Sequence, residues 1–64
     1  MPTVTADTIT DADIETLRAT LPRDHYAYQW TIDAVTPSPS HPHRQRSARR
    51  ECAAIINARA KETP

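Results

Sequence analysis

Glycine is absent from this 64-residue chain. Glycine alone takes positive φ without steric cost, so its absence excludes P-loops, dinucleotide-binding glycine fingerprints and tight turns that depend on it. Cysteine occurs once, at Cys52, which rules out an internal disulfide and suits a reducing compartment. Long apolar runs are also missing: the longest is the stretch 52–56, Cys-Ala-Ala-Ile-Ile. Residues 1–30 hold no cationic start followed by an apolar core. The expectation is therefore a cytoplasmic protein with no membrane span and no secretory signal. Phe is absent, leaving Tyr26, Tyr28 and Trp30 as the aromatic residues, and eight Lys plus Arg balance eight Asp plus Glu. A dedicated nucleic-acid-binding domain is expected to be basic, and this chain is not.

What remains is enough for one small domain. Hydrophobic residues make up 38% of the chain and charged residues 25%. This is short of the composition of obligate disorder. The charges are unevenly placed: residues 1–33 carry six acids against two Arg, and residues 34–64 carry six bases against two Glu. Folding that brings the halves together would cancel this asymmetry internally, which is the favoured reading.

The clearest local signal lies near the start. Thr10-Asp11-Ala12-Asp13 has the form of a capping box, with Ile9 and Ile14 placed as its hydrophobic staple. Ile14, Leu17 and Leu21 then fall on one helical face, and Pro22 disfavours helical geometry at Leu21. These features predict a helix over 11–20, preceded by a flexible lead-in at 1–8. Residues 9–64 are expected to form a single small helical domain.

The segment 24–35 can be read two ways. Tyr26, Tyr28, Trp30 and Ile32 alternate with smaller or polar residues at the period of a strand. The only candidate partner strand, however, is the short piece Thr3-Val4-Thr5, and a two-stranded sheet is marginal. A helix capped by Asp24, with Ala27, Trp30, Ala34 and Val35 facing inward, is preferred. Residues 36–43 hold three of the six prolines and predict a stiff connector. Beyond it, Ala48, Cys52, Ile55, Ile56 and Arg59 share a stripe that predicts a last helix over 48–61, with Ser47 or Ser40 as cap. The fold class expected is all-α: a three-helix unit with a proline-rich connector before the last helix.

Two strings, Ile9-Thr-Asp-Ala-Asp-Ile-Glu-Thr-Leu-Arg18 and Ser47-Ala-Arg-Arg-Glu-Cys-Ala-Ala-Ile-Ile-Asn-Ala-Arg-Ala60, carry a resemblance. The chain resembles a group of very small helical proteins encoded by phages, plasmids and other mobile elements of GC-rich bacteria. The resemblance implies a setting, mobile DNA in the cytoplasm, and no activity. The middle segment and the connector depart from the group's pattern.

Candidate chemistry is sparse. His25, His41, His43 and Cys52 are metal-ligand types, but they lack the paired spacing of a zinc site. Cys52 fits the apolar stripe, where a thiol acts as a small hydrophobe. No metal, no cofactor and no enzymatic activity are expected. Two binding surfaces stand out instead. Tyr26, Tyr28 and Trp30 belong to the residue types enriched in binding hot spots; in a continuous helix Tyr26 and Trp30 would share a face and Tyr28 would be the exposed one. Core sealing is the ordinary use of such residues, with an interface as the alternative.

Arg44, Arg46, Arg49 and Arg50 form a cationic stretch that suits phosphate or an acidic partner. Its ordinary reading is a solvated helix start, or pairing with Asp7, Asp11, Asp13 and Glu15. A helix extended backward would put Arg46, Arg49 and Arg50 with Ala53 and Asn57, largely opposite the apolar stripe. The expected function is a non-enzymatic accessory protein that binds a protein partner through the aromatic cluster, a second copy of the chain being compatible. The alternative is a small nucleic-acid-binding regulator using Arg44 to Arg50.

Overall fold

The computed structural model describes residues 3–62. They form three helices, α1 (Asp11–Thr20), α2 (Tyr28–Asp33) and α3 (Pro42–Glu62), with no strand among the described residues. The all-α expectation holds. α1 and α2 both pack on α3 and on each other, around a core of Ile9, Ile14, Leu17, Leu21, Ala27, Ala34, Ala48, Cys52 and Ala53.

α1 begins and ends where its sequence dictates. The Thr10 hydroxyl accepts from the Asp13 N–H, and the Asp13 carboxylate accepts from the Thr10 N–H, both at 3.2 Å. Two otherwise orphaned donors are thereby satisfied. Ile9 and Ile14 are both buried, as the staple requires. At the other end Leu21 takes an extended conformation, φ −103° and ψ 137°, which is the geometry a following proline favours.

α2 is helical, so the strand period is overruled, but the helix is shorter than expected. Asp24 does not cap it. The N-cap position is Ala27, which has no side-chain cap. Its N–H is taken by His25 Nδ1 at 3.0 Å, and four-residue turns from Pro22 to His25 and from His25 to Tyr28 lead in. The inward stripe is Ala27, Thr31 and Ala34, all fully buried, with Thr31 in the place expected for Trp30. Small residues at i, i+4 and i+7 let α2 approach its neighbours closely. Thr31 is satisfied: its hydroxyl donates to the Tyr28 carbonyl at 2.6 Å, and Arg18 donates to its hydroxyl and carbonyl at 3.3 and 3.0 Å.

α3 starts at Pro42, six residues before the expected position, so neither Ser47 nor Ser40 is its cap and the connector is shorter than 36–43. Proline is well suited to a first helical position, where its missing N–H would have had no partner and its φ is already helical. No residue described has positive φ. Without glycine, the end of α2 is finished from outside: the Ala34 carbonyl accepts from Gln45 Nε2 at 3.2 Å and from Arg49 Nε at 2.9 Å.

The N-terminal segment, expected as a lead-in outside the domain, lies along α3; residues 1 and 2 of that expectation fall outside the described residues. The Asn57 side chain accepts from the Val4 N–H at 3.0 Å and donates to the Val4 carbonyl at 2.8 Å. One amide thus supplies both bonds that a partner strand would have offered.

Candidate functional site

The expected aromatic surface forms with its members rearranged. Among the described residues Tyr26 is the exposed large hydrophobic one, at 73% of its surface, whereas Tyr28 and Trp30 are half-buried against the core. The expectation that Tyr28 would be exposed is reversed, because Tyr26 precedes the helix and sits in the turn. The Tyr26 ring stacks on His25 at 4.5 Å between centroids and meets Trp30 edge-on at 5.4 Å. Both separations are favourable aromatic geometries. His25 was not expected in this cluster; its only signal in the sequence is adjacency to Tyr26.

Trp30 also lines a groove of about 270 Å³ between α2 and α3, with Asp33, Arg44, Ser47, Ala48 and Glu51. Arg44 and Glu51 lie one heptad apart on α3 and so share a face. The aromatic surface is therefore continuous with a rim carrying both signs of charge.

The four arginines do not act as a unit. Arg49 is turned inward, its side chain 23% exposed. Its Nε donates to the Ala34 carbonyl at 2.9 Å, Nη1 to the Ile9 carbonyl at 3.2 Å and Nη2 to Asp11 Oδ1 at 2.7 Å. Arg46 pairs with Asp7 at 2.9 Å, both side chains being about two-thirds exposed. Arg44 and Arg50 make no ion pair among the described residues. Pairing with Asp7 and Asp11 bears out the expectation that the two charge halves meet. The face holding Arg49, Ala53 and Asn57 is not opposite the core: Ala53 is buried, and Asn57 holds the N-terminal segment.

Cys52 is fully buried. Burial pushes its thiol above the ordinary value of 9.0, an effect that the charge of Arg49 partly opposes. A thiol so placed is a poor nucleophile at neutral pH. In the native protein it should be labelled by a neutral thiol reagent about a hundredfold or more slowly than in denaturant, since reaction waits on opening of the core. Stability should also be fully present below pH 9.0 and fall as pH rises from there through the higher folded value, because the unfolded thiol ionises first. A Cys52→Ala variant that retained the whole alkaline loss would remove this attribution. Of the other candidate ligands, His41 and His43 are exposed and His25 is half-buried. Among the described residues no three His, Cys, Asp or Glu side chains are grouped to hold a metal ion, and no helix is long and apolar enough to cross a membrane.

No family model, curated protein or solved structure matches the chain.

Proposed function

We propose that the protein is a non-enzymatic binding protein that acts through protein–protein contact, using the surface made by His25, Tyr26 and Trp30. The observation that carries this reading is Tyr26 itself. A tyrosine exposed at 73%, held between an imidazole and an indole, offers a large and already ordered contact area at little entropic cost. The mixed charges of Asp33, Arg44 and Glu51 beside it suit the polar rim of such an interface. The chain's resemblance to small proteins of mobile elements supports an accessory role in the cytoplasm of a host carrying such DNA. The buried, proton-retaining thiol agrees with a role that is not catalytic.

Nucleic-acid binding through Arg44 to Arg50 is the second reading, carried by the exposure of Arg44 and Arg50. It is weakened because Arg49 is engaged in internal contacts and Arg46 in an ion pair.

Capture of partners by the tagged protein, with and without nuclease, tests the choice. A protein retained after nuclease treatment should bind the Tyr26→Ala variant at least about 2 kcal/mol more weakly, with the fold intact by circular dichroism. Sedimentation across concentrations shows whether a second copy takes the same surface. Capture abolished by nuclease, and indifferent to Tyr26, would transfer the function to the arginine stretch.

A further inference from the structure

A second site is formed by a cleft of about 280 Å³ lined by Ala6, His43, Arg46, Ser47 and Arg50. The four α3 residues fall at i, i+3, i+4 and i+7, which places them on one face of the helix. This face lies about 120° round α3 from the one that carries Arg44, Ala48 and Glu51. Every α3 side chain in the lining can donate a hydrogen bond. Arg50 offers a planar fork matched to an oxyanion, and Arg46, the Ser47 hydroxyl and the His43 ring add further donors on the same helix face. No carboxylate lines the cleft. His43 stands in the first turn of a long helix, where the positive end of the helix dipole adds to the same field.

We infer that this cleft binds a phosphoryl dianion, the group shared by inorganic phosphate and a phosphate monoester. The donors line one cleft, so they suit a discrete anionic group better than an extended backbone. A polynucleotide would need a line of available cations along the surface. The neighbouring arginines do not supply it: Arg49 is bound to Ala34, Ile9 and Asp11, and Arg44 lies in the other groove with Asp33 and Glu51. Asp7 is the internal competitor. Its carboxylate already holds Arg46 through both Nη atoms, at 2.9 and 3.5 Å, and so occupies part of the donor set that the ligand would use. The inference is independent of the aromatic surface and stands or falls without it.

The test is titration of the full chain with inorganic phosphate and with a phosphoserine peptide, followed by NMR of the arginine side chains and the α3 amides at about 0.15 M ionic strength. Saturable shifts confined to the cleft are expected. Arg50→Gln should weaken binding about tenfold, the loss of a charge-assisted hydrogen bond. Asp7→Asn should strengthen it about two- to fivefold, because only an exposed ion pair is given up. Arg44→Gln and Arg23→Gln remove the same charge elsewhere and should leave the affinity nearly unchanged. A peptide that binds more tightly than inorganic phosphate would make the source a phosphorylated side chain; equal binding would make it a small free anion. Either supports the cleft. Equal losses from Arg44→Gln and Arg50→Gln, weaker binding by Asp7→Asn, or absence of saturation would overturn the inference. So would tighter binding of a single-stranded oligonucleotide without terminal phosphates, which would favour a backbone-tracking surface.

Discussion

Replacing Arg49 with alanine should destabilise the protein by about 2 to 3 kcal/mol, although the residue is a charged arginine on a helix rich in them. Its guanidinium ties α3 to the end of α2 through Ala34, to the staple residue Ile9, and to the first turn of α1 through Asp11. Hydrogen bonds from a charged donor contribute roughly 1.5 to 3 kcal/mol when they are sheltered. The Asp11 contact adds little to this sum, because that carboxylate is 72% exposed and such pairs are screened. Most of the effect should therefore come from the two carbonyls and survive in about 1 M salt, where surface ion pairs are lost. A chain of this size has a total stability of roughly 3 to 10 kcal/mol, so the variant could lose most of it. Arg49→Lys should recover only a minor part, since an ammonium cannot serve three separated acceptors as the planar fork does. Urea unfolding at low and high salt measures this. A loss below about 1 kcal/mol, or one abolished by salt, would mean that Arg49 is an ordinary surface arginine.

Ile14→Ala should cost still more, about 2 to 5 kcal/mol. Ile14 is completely buried, next to Leu17 on α1, and forms the staple with Ile9. The cost depends on how far the surroundings can collapse into the space left behind. Collapse is restricted here because α1 is held at both ends. The capping box and Arg49 fix its start, and Arg18 fixes its last turn to Thr31. In a domain this small each kcal/mol lowers the melting temperature by roughly 4 to 8 °C, so the variant should melt about 8 to 40 °C lower. Ile14→Val, which removes one methyl group, should cost about 0.5 to 1.5 kcal/mol. Thermal melts of the pair should show this gradation. Similar melting of Ile14→Ala and the parent chain would place Ile14 outside the core.

The sequence alone determined what depends on near neighbours. α1 was legible to the residue because a capping box, a staple and a following proline all act within five positions. The absence of glycine and of long apolar runs excluded classes of site without any structure. The apolar stripe of α3 was legible at Ala48, Cys52, Ile55 and Ile56 because a 3.6-residue period is a local property. Its first six residues were not, because His43 to Ser47 carry no apolar side chain to mark a stripe, and Pro42 reads equally as a break or as a first helical residue.

Tertiary structure decided the rest, and the deciding contacts join residues far apart in the chain. Tyr26 rather than Tyr28 is exposed because α2 begins at Tyr28, a start set by the docking of Ala27, Thr31 and Ala34 rather than by a cap. The four arginines look alike in sequence, yet one is tied inward, one is paired at the surface and two make no ion pair among the described residues, because the partners Asp7, Ile9 and Asp11 are 38 to 40 positions away. The N-terminal segment carries no pattern that foretells its place, since what holds it is the Asn57 amide, 53 positions away from Val4. A polar side chain does not encode its partner locally; only the packing of α1 and α2 on α3 determines which backbone group lies within its reach.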